Sequence, residues 1–193
     1  MCHKGSCGLL KPISLASFPC ILGASFVITY IVPAKRKGIR EELKQTRPFF
    51  SPAQEAFLSI QRTADTLSQR VEQFLKPWEV SGTQYNVLRI LRGAGPEGLR
   101  CGEIGERMIA HDPDITRLLD RMEKADWIER ARDPRDRRVV LTHINRRGLD
   151  LLKKIDKPIE EFTGQLGNHI TDKRFRDLID ILDEIRNPPG ANE

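Results

Sequence analysis

Residues 112–145 read DPDITRLLDRMEKADWIERARDPRDRRVVLTHIN, and this stretch decides the fold. Its first part predicts an amphipathic helix, because apolar residues recur at helical spacing along one face. Those residues are Ile115, Leu118, Leu119, Met122 and Ala125. Asp112 followed by Pro113 is typical of a helix start, with aspartate as the N-cap and proline at the first helical position. The helix then carries Thr116, Arg117 and Arg121 on the opposite face.

The second part of the stretch predicts a β-hairpin. Residues 127–130 and 138–144 are strand-like in composition, and a charged turn containing Pro134 separates them. Upstream, a short helix over residues 103–108 ends at a break at Ala110 and His111. A helix, a break, a second helix and a hairpin, in this order, are the parts of a winged helix-turn-helix.

The charge of this region indicates a polyanionic partner. Seven arginines lie between residues 130 and 147, against two aspartates. The net charge of the whole chain is +5 and its pI is near 9.2, but residues 1–50 supply that excess and residues 51–193 carry −1. The local patch therefore carries the inference. Double-stranded DNA is the expected partner, with the second helix in the major groove and a wing tip bearing Arg135 in the minor groove. The alternative is a solvated charged face, in which Arg137 or Arg138 pairs with acidic neighbours.

Long helices are expected on both sides of this region. Residues 51–76 and 145–187 carry narrow apolar seams at coiled-coil-like spacing, which favour packing against another long helix, as in a homodimer. The predicted fold is therefore mainly α with a small β-hairpin wing. We expect one domain over 51–187, with the winged helix-turn-helix at 81–144 and a frayed tail at 188–193.

The N-terminal segment, residues 1–50, differs from the rest of the chain. Residues 12–34 are uncharged and long enough to span a bilayer, although serines, Pro19 and Gly23 dilute the run. Three alternatives stay open: a disordered or wrongly annotated extension, a membrane anchor, and a cleaved signal. The expected location is the cytoplasm, and an anchor would keep the C-terminal domain on that side of the inner membrane.

The sequence does not predict an enzyme. Its four histidines are scattered, and it contains neither a phosphate-cradling glycine loop nor a nucleophile elbow. We expect no cofactor and no metal site. Cys101, the only cysteine after residue 50, is expected to be buried and inert, with an oxidant-sensing thiol as the alternative. A winged helix used only for protein assembly is another alternative, although that use would not require a basic wing.

These segments resemble the MarR family of bacterial transcriptional regulators. The matching stretches are VSGTQYNVLRIL, EIGERM, DITRLLDRMEKADWIER and DPRDRRVVLTHINRRG. The last is the most specific, because the family's wing signature of aspartate, one residue and arginine falls on Asp136 and Arg138. The resemblance implies a symmetric dimer on a palindromic operator, most simply a repressor released by a small-molecule effector.

The resemblance also implies roles for individual residues. On the recognition helix, DNA contacts fall to Thr116, Arg117 and Arg121. On the wing they fall to Arg135, Arg137 and Arg138, and Asp136 steadies the wing. Trp78 and Tyr85 are candidate lining for an effector pocket, although both are equally suited to a core.

The sequence departs from the family in two places. Asp126 follows the recognition helix where the family has a left-handed glycine, and aspartate tolerates that conformation better than most residues. The break between the two helices also lacks a glycine, which predicts a longer or looser turn than usual.

Overall fold

The computed structural model describes residues 37–110 and 112–188. Two compact units are present, with the boundary between Phe49 and Phe50. The described part of the first unit contains one short helix, α1 (Ile39–Glu42). The uncharged run at 12–34 and the tail beyond residue 188 lie outside the described residues. Among the described helices, none is both long enough and apolar enough to span a bilayer.

The second unit contains six α-helices and one hairpin within the described residues. In chain order they are α2 (Pro52–Leu75), α3 (Gly82–Ala94), α4 (Cys101–Arg107), α5 (Ile115–Lys124), β1 (Ile128–Arg132), β2 (Val140–Ile144), α6 (Arg146–Gln165) and α7 (Asp172–Arg186). The predicted fold class, mainly α with a β-hairpin wing, is confirmed.

Local sequence sets most helix starts. The Ser51 hydroxyl accepts the Gln54 N–H at the start of α2, and Ser81 and Gln84 form a reciprocal capping box at the start of α3. The Asn145 side chain accepts the Gly148 N–H at the start of α6. Each cap satisfies backbone donors that a helix leaves unpaired in its first turn.

The predicted start of α5 is wrong. The helix begins at Ile115, with Asp114 rather than Asp112 at the N-cap. Asp112 is used differently: its Oδ1 accepts the Asp114 backbone N–H at 2.8 Å, which closes a local turn before the helix. Because α4 ends at Arg107, the connection is long, as the missing glycine predicts.

The core forms around α3, which contacts α2, α4, α6 and β2. The buried hydrophobic side chains are Leu75, Val80, Tyr85, Val87, Leu88, Leu91, Leu99, Ile104, Leu118, Leu119, Met122, Ile128, Leu152 and Ile155. A fully buried leucine or isoleucine contributes about 1.5–3 kcal/mol. The helices that carry the candidate site are therefore fixed to one common core.

The hairpin pairs β1 and β2 antiparallel, in a register that places Ile128 opposite Ile144 and Arg132 opposite Val140. Leu99 extends this sheet through an antiparallel bridge to Thr142. The two residues exchange both backbone hydrogen bonds, at 3.0 and 2.8 Å. The base of the wing is thus joined to the segment that leads into α4.

Gly148 allows the start of α6 to approach the end of the α5–β1 turn. The Asn145 N–H donates to the Trp127 carbonyl oxygen at 3.1 Å. A Cβ added at Gly148 would collide with that same oxygen, a backbone atom that cannot rotate away. At Gly164, in the last turn of α6, such a Cβ would meet no heavy atom within 4 Å beyond the adjoining residues and backbone of its own helix.

We expect Gly148→Ala to lower the free energy of unfolding by about 1–3 kcal/mol, because the added methyl overpacks a backbone contact. Gly164→Ala is the matched control, and we expect it to leave stability unchanged or raise it by up to about 1 kcal/mol through helix propensity. Urea unfolding followed by circular dichroism measures both. Equal effects at the two positions would contradict the close approach at Gly148.

Candidate nucleic-acid interface

The outward face of α5 carries the predicted recognition residues. Thr116, Arg117 and Arg121 are exposed. The opposite face is buried, because Leu118, Leu119 and Met122 are at most 2% exposed. Burial on one face of a short helix therefore determines which side chains the other face presents to solvent.

The wing turn is held by its own side chains. Asp133 Oδ1 accepts the Arg135 N–H at 2.8 Å, and Asp136 Oδ1 accepts the Arg138 N–H at 2.9 Å. Arg132 Nη1 donates to the Arg137 carbonyl oxygen at 2.6 Å. Asp136 thus contacts the backbone of Arg138 rather than its guanidinium.

The three wing arginines predicted to contact DNA remain available for an external partner. The side chains of Arg135, Arg137 and Arg138 are exposed. Within the part of the chain that the structure describes, none of the three forms a salt bridge. A tight turn whose backbone is fixed and whose cations are unpaired is well suited to bind phosphate or a narrow minor groove.

Arg130 differs from the wing arginines, because it joins the wing to the recognition helix. Its Nη2 lies 2.6 Å from Asp120 Oδ1 and 2.5 Å from Glu123 Oε2, and its Nε also donates to Glu123 at 3.0 Å. The Arg130 side chain is 26% exposed. The side-chain hydrogen bond from Arg130 lowers the pKa of Glu123 below its usual range, and the same bond raises the pKa of Arg130. This forked contact, which we call the Arg130 clamp, connects α5 to β1.

The prediction of a basic patch of seven arginines is therefore partly wrong, because some of these arginines are paired with acidic side chains. Besides Arg130, two of its members are paired: Arg146 contacts Asp150 at 3.2 Å and Arg147 contacts Asp126 at 2.9 Å. The count of charges over residues 130–147 missed these pairs because all the acidic partners lie outside that interval: Asp120, Glu123, Asp126 and Asp150. One feature of the sequence could have indicated the clamp. Two acidic residues, Asp120 and Glu123, lie one helical turn apart shortly before an arginine in a predicted strand.

Asp126 adopts the left-handed conformation predicted for its position, with φ of 57°. Its carboxylate also accepts hydrogen bonds from the Asn145 side-chain amide at 3.0 Å and from Arg147 Nη1 at 2.9 Å. The residue that replaces the usual glycine thus joins the end of the recognition helix to the start of α6.

The two aromatic residues considered for an effector pocket lie in different surroundings. Tyr85 is buried, and its hydroxyl accepts a hydrogen bond from Arg89 at 3.3 Å. Trp78 is half-buried, with its ring 5.4 Å from that of Phe74. Phe74 in turn stacks on Phe162 of α6 at 4.6 Å. Two described cavities, of about 310 and 340 Å³, are lined by other residues.

Other candidate chemistry is limited within residues 37–110 and 112–188. Cys101 is a free thiol at the first position of α4, and because it is only half-buried the predicted burial is wrong. No group of three or more histidine, cysteine, aspartate or glutamate side chains in these ranges is arranged to hold a metal ion.

Comparisons with known proteins agree with this architecture. The model of the MarR family matches residues 80–140. A MarR transcription factor of known structure from Planctomyces limnophilus is 35% identical, over 70% of this chain and 98% of that one, with a TM-score of 0.53. The HTH-type transcriptional regulator TtmR of Methylorubrum extorquens is 28% identical over 164 residues, which are 84% of this chain and 83% of the relative.

A more distant structure matches the fold alone. It is that of the MepR–DNA complex from Staphylococcus aureus, with 17% identity, a TM-score of 0.62 and coverage of 71% of this chain and 97% of that one. The helix order, the hairpin and the long flanking helices define a winged helix-turn-helix protein. More specifically, this chain belongs to the MarR family. Members of that family regulate transcription, and the protein is not an enzyme.

The clamp makes a testable prediction about stability and pH. We expect Arg130→Met to lower the free energy of unfolding by about 1–2 kcal/mol at neutral pH, because it leaves two carboxylates without their cation. Glu123 has a lowered pKa in the folded state, so its contribution is present above its ordinary pKa of about 4.3 and is lost as the pH falls through the lower folded value. The difference between wild type and variant should therefore shrink between about pH 5 and pH 3.

Arg132→Met is the control, because the Arg132 side chain donates to a carbonyl oxygen rather than to a carboxylate. Urea unfolding at a series of pH values measures both variants. The clamp is contradicted if the loss in Arg130→Met is the same at pH 3 and pH 7.

Proposed function

We propose that this protein is a transcriptional repressor that binds a palindromic operator as a homodimer in the cytoplasm and releases it when a small molecule binds. The observation that carries the proposal is that two cationic surfaces occur together in one domain. The outward face of α5 presents Arg117 and Arg121, and the wing presents unpaired arginines, while the Arg130 clamp joins the elements that carry them.

The expected contacts follow from the shapes of these two surfaces. A single helix fits the major groove, where Thr116, Arg117 and Arg121 would contact base edges or phosphates. A short arginine-bearing turn fits the minor groove, into which Arg135 would insert. Arg137 and Arg138 would contact the flanking phosphates. Asp136 would keep that turn in shape through its bond to the Arg138 backbone.

Exposed apolar side chains on the long helices support the homodimer. No residue of α7 is buried, although that helix carries several large hydrophobic side chains. The exposed ones on α7 are Leu178, Ile179, Ile181 and Ile185, and those on α2 are Phe57, Ile60 and Leu67. A second copy of the chain would cover these faces. Residues 51–76 and 145–187 would thus form the dimerisation part, and residues 81–144 the DNA-binding part.

The aromatic contacts around Trp78 support the proposal that the effector binds next to this residue. Trp78 lies beside Phe74, which stacks on Phe162 of α6. A ligand inserted next to Trp78 would act where α2 and α6 meet, close to the start of α3. Tyr85, which is buried in the core, stays the second candidate for the lining of the effector pocket.

The test uses the full chain to select bound duplexes from random DNA, and we expect a palindromic sequence. On that DNA, Arg135→Ala combined with Arg137→Ala should lower affinity by roughly tenfold or more at fixed salt, because two phosphate or minor-groove contacts are lost. The slope of affinity against salt should fall as well. Gel-shift titration measures both quantities.

Lys154→Ala combined with Lys157→Ala removes the same charge from the exposed surface of α6 and is the matched control. We expect it to have little effect on affinity. If the wing variant bound as tightly as wild type, the wing would not contact DNA. If wild type enriched no sequence, the protein-assembly alternative would replace the proposed function.

A further inference from the structure

Asp114 has an unusual role for the residue that begins a helix. Aspartate at an N-cap normally accepts a backbone N–H from the first turn. At the start of α5 no such side-chain bond forms. The carboxylate instead contacts Arg117, with Oδ2 3.2 Å from Nη1. The Asp114 side chain therefore contacts the Arg117 side chain rather than the helix backbone.

The pair lies on the exposed surface, where it adds little to folding. The side chains of Asp114 and Arg117 are 50% and 82% exposed, and exposed ion pairs contribute little to stability because water and salt screen them. The first residues of a recognition helix are those that contact base edges in the major groove. A pair at this position can contact DNA, and the fold does not depend on it.

The contact leaves most of the guanidinium free. Arginine has five N–H donors in a planar fork, and Asp114 uses only Nη1. The edge formed by Nε and Nη2 remains free, and it matches the O6 and N7 acceptors of guanine. One Asp114 oxygen also remains as an acceptor, and in the major groove cytosine offers an amino donor to such an oxygen.

Resting on the function proposed above, we infer that Asp114 and Arg117 act together to recognise a G·C base pair in each half-site. Arg117 donates to guanine O6 and N7. Asp114 is a positioning residue that holds the guanidinium in one orientation and accepts from the cytosine amino group. The Asp114 charge also repels phosphates, so it disfavours DNA that lacks the matching donor.

The inference gives Asp114 and Arg121 opposite effects on DNA binding. Arg121 lies one turn further along the exposed face and forms no ion pair with any residue the structure describes. Losing its charge should weaken binding to all DNA. Losing the Asp114 charge should weaken binding to the selected operator and leave binding to random DNA unchanged or stronger.

The experiment compares sequences selected from random DNA by the full-length wild type, Asp114→Asn and Arg117→Lys. Wild type should enrich half-sites with one fixed G·C pair. Asp114→Asn should reduce the preference for that pair roughly tenfold, and Arg117→Lys, which keeps the charge but loses the fork, should do the same. Glu129→Gln removes one exposed carboxylate from β1 and should leave the base preference unchanged.

Circular dichroism and affinity for random DNA establish that each variant is folded. The inference is overturned if Asp114→Asn selects the wild-type sequence with the same base preference, or if the wild-type half-site has no fixed G·C pair. It is also overturned if Glu129→Gln changes the preference as much as Asp114→Asn does. Failure of wild type to enrich any sequence would overturn the proposed function itself, which separates the two outcomes.

Discussion

The arrangement of this domain depends on the burial of one face of α5. Leu118, Leu119 and Met122 are almost fully excluded from solvent, so rotating the helix would expose them, at a cost of about 1.5–3 kcal/mol for each side chain. This constraint fixes the direction of the opposite face, which carries Thr116, Arg117 and Arg121. The orientation of the candidate surface is thus set by apolar packing rather than by the charges that it presents.

Two polar contacts extend this constraint to neighbouring elements. The Arg130 clamp joins α5 to the first strand of the wing, and the Asp126 carboxylate joins the end of α5 to Asn145 and Arg147 at the start of α6. The wing and the start of α6 are therefore both connected to α5. A change in the position of the start of α6 would therefore reach the end of α5 through Asp126.

Much of the fold follows from local sequence. Apolar periodicity predicts the helices, and Ser51, Ser81 and Asn145 begin helices as their sequence context indicates, because a cap requires only neighbours within a few residues. The start of α5 was not predictable in the same way. Asp112 and Asp114 are both plausible caps, and the local turn formed by Asp112 decides between them. The left-handed Asp126 was predicted from its position, but its contacts with α6 were not, since those partners lie 19 and 21 residues away.

The candidate site was predictable in position but not in detail. The sequence pattern located the basic wing and the outward face of α5. It counted Arg130 and Arg135 alike as members of the basic patch, although Arg130 is paired with acidic side chains and Arg135 forms no salt bridge among the described residues. Ion pairs between elements depend on tertiary geometry, which a residue count does not contain. The Asp114–Arg117 contact is local and was missed for a different reason, because the predicted helix start lies two residues too early.

The central claim is that α5 and the wing of each protomer contact adjacent grooves of one half-site. Dimethyl sulfate probing of the selected duplex tests it directly, because this reagent methylates guanine N7 in the major groove and adenine N3 in the minor groove. The account predicts protection of guanine N7 in the major groove of each half-site and of adenine N3 in the adjacent minor groove, in two symmetric copies. Protection confined to one groove, or the absence of two-fold symmetry, would contradict it.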